Sequence, residues 1–231
     1  ALSRNRGPDM VGYWSNKINC QLGFNRLSII DLTSKGNQPM TTIDKKWTIV
    51  MHGEIYNYKT IRQELGSKVS DFISQSDTEV LLKAFSHWGI DKTLDKINGI
   101  FSIALFDSVN SKIYLIRDFA GVKPLYYGIV NKTLIFASQY DQIFKHPKFL
   151  KNREPRKNIL FDYLRFGYVS APNAFFENTW QVEPGEIISF NLEIESSSSK
   201  YYQFSLDDGY LNETSSGTID EVETTLFNSV S

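Results

Sequence analysis

The segment His52-Gly53-Glu54-Ile55-Tyr56-Asn57 carries the residue types from which an oxyanion-binding corner can be built. It follows a strand-like run, and a glycine at such a point lets backbone N–H groups approach a ligand with no Cβ in the way. A glycine amide beside a side-chain donor is one way to stabilise a developing oxyanion. The competing reading is a tight strand-to-helix turn in which Gly53 only supplies unusual dihedrals and Glu54 sits in solvent; taken alone, the residues favour the turn. Ser76-Asp77-Thr78-Glu79 has the pattern of a helix start, with Ser76 or Asp77 as cap and Glu79 in the first turn. Capping explains it, and the alternative is that one carboxylate points outward to hold an ammonium group. Arg26 lies in the strand-like run 22–32, where an inward guanidinium needs a carboxylate from the protein or from a ligand and an outward one faces water. Arg117-Asp118, ahead of Gly121, Lys123 and Pro124, reads as a charged turn closed by an internal ion pair.

Other chemistries lack their residues. His52, His87 and His146 do not stand at metal-ligand spacing with Cys20, so no metal site is predicted. There is no phosphate-cradling P-loop, no dinucleotide fingerprint and no Gly-x-Ser-x-Gly elbow. Cys20, read as mid-strand in an apolar setting with no adjacent base, is expected to be inert. A single cysteine cannot form an internal disulfide, and no stretch has the length of a membrane span or the layout of a signal peptide, which predicts a cytoplasmic setting. The 25 basic and 26 acidic residues leave a net charge of -1 with no long single-sign run, so neither nucleic acid nor an anionic membrane is an expected partner.

The elements that must position these residues follow from periodicity. With 41% hydrophobic residues, the 231-residue chain has enough apolar material for a substantial core. Residues 17–32 and 46–51 are rich in β-branched and aromatic types and read as strands. Ile61 and Leu65 are four apart, and Val80, Leu81, Ala84, Phe85 and Trp88 fall at helical spacing before Gly89, so two helices follow. Strands at 101–106, 113–116, 125–130 and 134–137 make an antiparallel meander. Short helices at 143–144 and 159–166 precede a last strand at 186–192. The serine run 196–199 and the stretch 207–217 are polar and aperiodic, placing the domain end near residue 205 and a linker at 206–217. Thr218 and Glu221 form a capping box, and Ile219, Val222, Leu226 and Val230 continue a stripe suited to another domain. Entry at Ser3 without a leading strand, and an exit inside a helix, lead to the expectation that both ends are cut.

Taken in order, Arg6-Gly7-Pro8-Asp9, Arg26-Leu27-Ser28-Ile29-Ile30-Asp31, Gly53-Glu54-Ile55-Tyr56-Asn57, Ser76-Asp77-Thr78-Glu79, Asn98-Gly99-Ile100-Phe101 and Arg117-Asp118 with Gly121-Val122-Lys123-Pro124-Leu125-Tyr126-Tyr127 resemble the glutaminase domain of the asparagine synthetase B family. The resemblance implies an α+β fold, an N-terminal-nucleophile (Ntn) hydrolase-like four-layer αββα sandwich of antiparallel sheets, lacking its first strand in this chain. It implies a class II glutamine amidotransferase domain over 1–205 and, at 218–231, the start of the first helix of an ATP-pyrophosphatase synthetase domain. Carried over by position, Arg26 binds the α-carboxylate of glutamine, Glu54 and Asp77 hold its α-amino group, and Gly53 donates its amide to the oxyanion.

The expected function is glutamine hydrolysis supplying ammonia to amidate an adenylated carboxylate, aspartate in that family. The partners implied are glutamine, the chain's own synthetase domain and a second copy in a homodimer. No cofactor is expected in this domain, and ATP and Mg belong to the synthetase domain. Three departures from the pattern are visible. The family's N-terminal nucleophilic cysteine is absent from these residues, so the fragment by itself is expected to be inactive. His52 stands where the family has the asparagine that shares the oxyanion hole with Gly53. Asn5 and Gln139 replace the usual histidine and glutamate. The alternatives left open are a sugar uronic acid acceptor in surface-polysaccharide synthesis and a non-catalytic glutamine-binding domain.

Overall fold

Strand β5 (Gly99–Asp107) sets the layering, because its alternating side chains are apolar on both faces: Phe101, Ile103 and Leu105 on one, Ala104 and Phe106 on the other. In a computed structural model, which describes residues 3–66, 69, 72–151, 153–191, 193–201 and 216–230, it lies inside a six-stranded antiparallel sheet. The order is β11 (Ser196–Lys200), β10 (Glu186–Phe190), β6 (Lys112–Arg117), β5, β4 (Trp47–Ile55) and β3 (Met40–Thr41). One face packs on α2 (Asp77–Trp88) and α3 (Ile90–Leu94) through Ile49, Met51, Ile103, Leu81, Phe85 and Leu94. Helix α1 (Tyr58–Leu65) lies against α2 through Ile61, Leu65, Val80 and Ala84.

The other face carries Val50, Ala104, Leu115, Ile188 and Phe190. These meet Tyr127, Ile129, Leu134 and Phe136 of a smaller antiparallel sheet ordered β8 (Thr133–Ala137), β7 (Tyr126–Val130) and β9 (Thr179–Gln181). Its outer face, with Val130 and Ile135, is covered by Ile143 of α4 (Tyr140–Phe144) and by Phe149. The layers therefore run helix, sheet, sheet, helix, the αββα order expected. A separate hairpin of β1 (Met10–Ser15) and β2 (Gln21–Arg26) lies beside them.

Three local expectations change. The strand expected over 17–32 shrinks to Gln21–Arg26, because the Asn16 carboxamide oxygen accepts the amides of Ile18, Asn19 and Cys20 and folds them into a turn. Met10–Ser15, for which no strand was expected, forms β1, which pairs with β2 over its whole length. The serine run, expected to be aperiodic, is strand β11: it pairs with Glu186–Phe190 at the exposed sheet edge, where no apolar face is needed. Most of the expected linker lies outside the described residues. The terminal helix α6 spans Ser216–Val230, so it starts two residues before Thr218, and Ile219, Val222 and Leu226 on it are exposed. Helix α5 (Lys157–Phe166) buries Ile159 and leaves Phe161 and Leu164 exposed. No described helix is long and apolar enough to cross a membrane.

If the core is the α2–sheet interface, Phe85→Ala should cost about 3–5 kcal/mol in denaturant unfolding, whereas Leu164→Ala on the open face of α5 should stay within about 0.5 kcal/mol. Equal losses at the two positions would contradict this layering.

Candidate functional site

Where β2 ends, Arg26 turns into the molecule and is only 8% exposed. The loop that follows wraps its guanidinium: Nη1 donates to the Thr33 carbonyl (2.7 Å) and to Asn37 Oδ1 (2.7 Å), and Nη2 donates to the Asp31 carbonyl. A Cβ on Gly36 would collide with Nη2, so glycine is what lets the loop close over the group. Nε makes no hydrogen bond with the described residues, so part of the donor fork remains for a further acceptor.

The loop is in turn fastened by the Asp31 carboxylate. It accepts from the Thr33 hydroxyl (2.6 Å) and amide (2.8 Å), and its other oxygen accepts from the Gln75 amide (2.8 Å) just ahead of α2. Led by the Thr33 hydroxyl, these bonds hold the carboxyl down at about 2. One acid thus ties the arginine loop to the α2 entrance.

The second wall of the cleft is the end of β4. Gly53 has φ 145°, and a Cβ there would collide with the Ile100 carbonyl and approach Phe101 Cα to 2.7 Å, so β4 and β5 meet too closely for any other residue. On this strand Ile49 and Met51 face the helices, whereas His52 and Glu54 point to the opposite side. Glu54 makes no hydrogen bond or ion pair with the described residues and lines the cleft. His52 has a buried Nδ1 with no hydrogen-bond partner among the described residues.

The third wall is the start of α2. Ser76 is the cap, accepting from the amides of Thr78 (3.1 Å) and Glu79 (3.4 Å). Glu79 reaches back to the amides of Ile73 and Ser74 and to the Ser74 hydroxyl, which fixes the entrance loop. Asp77, 6% exposed, is left to face β4, where Oδ2 accepts from the Ile55 amide (3.0 Å). Burial raises its carboxyl above the ordinary range; its bonds to Ile55 and Thr78 oppose that, and the Glu54 charge adds to it. A cation held between the two carboxylates would oppose both effects on Asp77.

Arg26, His52, Gly53, Glu54 and Asp77 therefore line one cleft of about 580 Å³. Reading the residues also passed over Gln38, Arg6 and Lys123, which line it too. Lys123 is placed by the turn in which an ion pair was expected. Arg117 and Asp118 both organise backbone instead: Arg117 donates to the carbonyls of Gly121, Lys123 and Val182, and Asp118 accepts from the amides of Phe101, Val122 and Lys123. Cys20 is not mid-strand; it ends the Asn16 turn, lines no part of the cleft, and burial pushes its thiol up to about 11. Among the described residues, no group of His, Cys, Asp and Glu stands where it could hold a metal ion.

The family described as a glutamine amidotransferase domain matches residues 1–202. Asparagine synthetase [glutamine-hydrolyzing] 1 of Bacillus subtilis (strain 168) is 36% identical over 180 residues, covering 78% of this chain and 28% of the relative. A putative asparagine synthetase [glutamine-hydrolyzing] 2 of Methanocaldococcus jannaschii is 30% identical over 222 residues, covering 89% of this chain and 42% of the relative. The chain thus spans well under half the length of these relatives. Among solved structures, the glutamine phosphoribosylpyrophosphate amidotransferase from B. subtilis complexed with ADP and GMP superposes with a TM-score of 0.55 at 18% identity, covering 80% of this chain and 35% of that one. At that identity the likeness is one of fold.

The environment of His52 makes a prediction of its own. Burial first, then the charges of Lys123 and Arg6, lowers its pKa to about 4 from an ordinary 6.5, so the ring is neutral near pH 7. Because the folded state binds this proton less readily than the unfolded chain, the associated stability is present above about pH 6.5 and is lost as the pH falls through about 4. The His52 ring signal in NMR should titrate near pH 4, and His52→Gln should shrink the stability lost between those pH values. A midpoint above 6 would contradict the buried, cation-flanked placement.

Proposed function

This chain belongs to the glutamine amidotransferase domain family, and on that footing we propose that its cleft binds L-glutamine by both α-groups and serves the hydrolysis of the side-chain amide. Its fold is the four-layer architecture of Ntn-hydrolase amidotransferases. The observation that carries the binding assignment is the arrangement of charge: a buried guanidinium with Nε unused on one wall, and a partnerless Glu54 beside the buried Asp77 on the facing walls. A zwitterionic amino acid matches it. The α-carboxylate would take the open part of the Arg26 fork, and the α-ammonium would sit between Glu54 and Asp77.

The side-chain amide would then lie along β4, where the Gly53 N–H and the His52 ring are the available donors to an oxyanion. Nδ1 of His52, buried and unpartnered, would gain an acceptor if its proton resides there. Arg6 and Lys123 add positive charge on the same side. The attacking thiol of the family reaction is not Cys20, which lies away from the cleft with a raised pKa. In the whole protein the released ammonia would pass to an ATP-activated carboxylate, aspartate by analogy with the relatives, in a synthetase domain that uses ATP and Mg and follows a linker after about residue 205.

Glutaminase assays on the full-length protein test the reading. Arg26→Ala should lower kcat/KM on the order of 100-fold, chiefly through KM, and Glu54→Gln should act in the same direction. Losses below about threefold at both positions would contradict it. His52→Asn should raise kcat with KM little changed, since an amide donor needs no particular tautomer; a fall in kcat would show that the imidazole is itself the adapted donor.

A further inference from the structure

Strand β4 loses its backbone partner two residues before the candidate oxyanion donor. On the edge away from β5, the odd-numbered residues of β4 face β3: Thr42 donates to the Trp47 carbonyl (2.9 Å), and Met40 lies opposite Ile49. The same register would next set Gln38 opposite Met51. The Gln38 carbonyl is packed against Gly12 of β1, where a Cβ would come within 2.8 Å of the carbonyl carbon, so it is turned away from Met51. The acceptor half of a backbone rung is therefore missing there.

Its side chain makes the rung instead. Oε1 accepts from the Met51 amide (2.6 Å), and Nε2 donates to the Met51 carbonyl (3.2 Å) and to the Thr78 hydroxyl (3.1 Å). The carboxamide presents one acceptor and one donor on the same side, which is how a strand residue presents its backbone. Four residues on, the Ile55 amide of the same edge is taken by Asp77, the neighbour of Thr78. Antiparallel ladders alternate, so the edge positions are Met51, Gly53 and Ile55. The first and last are closed by side chains, and the Gly53 N–H between them has no acceptor among the described residues.

We propose that Gln38 is a positioning residue for the oxyanion donor: its carboxamide substitutes for a missing backbone rung, locks β4 to the start of α2, and with Asp77 holds the Gly53 N–H unpaired toward the cleft. The proposal rests on the glutaminase reading for its kinetic consequence but not for the clamp itself. Gln38 is 9% exposed and would lie behind the glutamine. Its loss should therefore weaken an interaction made in the transition state and leave substrate binding nearly intact.

In the full-length protein, Gln38→Met keeps the length and removes all three bonds. For glutamine hydrolysis we expect kcat to fall on the order of tenfold with KM within about twofold. In the same variant, without glutamine, the Met51 amide should exchange its hydrogen on the order of 100-fold faster, with the β5 amides unchanged. If Gln38→Met does not fold, Thr78→Val removes the Gln38 bond together with the longer hydroxyl bond to Asp77 (3.4 Å), leaves the Met51 pair, and should give the same split at about threefold. Unchanged Met51 exchange in Gln38→Met, or a loss of activity carried by KM in either variant, overturns the proposal. A wild-type protein without glutaminase activity would refute the functional reading alone, and Met51 exchange would then decide whether the clamp exists.

Discussion

The site depends on an interrupted sheet edge. If β3 continued alongside β4, every amide on that edge would be consumed by a neighbouring strand, and the cleft would have a closed wall. Instead the backbone pairing stops at Met40 opposite Ile49, and two side chains, Gln38 and Asp77, take up the amides at Met51 and Ile55. Both anchors come from segments that also form the other walls, so the gap is bridged by the parts that bound the cleft. Gly53 is confined to glycine by the close approach of β5, and its amide lies at the centre of the gap.

The charges follow the same economy. Three charged groups near the cleft are held by backbone: Arg26 by the carbonyls of its own loop, Asp31 by the Thr33 and Gln75 amides, Asp77 by the Ile55 and Thr78 amides. Polar groups satisfied in this way are fixed in place without a direct ion pair. Arg26 and the Glu54–Asp77 pair can therefore face each other across the cleft with their attraction unspent, which suits a ligand carrying both signs of charge.

Legibility in the sequence was uneven for physical reasons. The central layers could be read because both faces of β5 and the inner face of α2 are apolar at strict periods, as in Phe101-Ser102-Ile103-Ala104-Leu105 and Val80-Leu81-Ala84-Phe85. Strand β11 could not, since an exposed edge strand of serines shows no alternation. Residues 27–32 were expected to continue the strand because Ile29, Ile30 and Leu32 are β-formers; the loop is imposed by Arg26 and Asp31 bonding to it. Arg26, Gly53, Glu54 and Asp77 were marked by resemblance, whereas spacing alone favoured capping and turn roles, and Ser76 does cap α2. Gln38 carried no signal, because a lone glutamine before proline betrays nothing until the register sets it opposite Met51.

Calorimetric titration of the protein with L-glutamine and with N-acetyl-L-glutamine tests the central claim most directly, since the two differ only at the group that Glu54 and Asp77 are said to hold. The account predicts saturable one-to-one binding of L-glutamine, and binding of the acetylated compound weaker by on the order of 100-fold. Equal affinity for the two, or binding of neither, would contradict it.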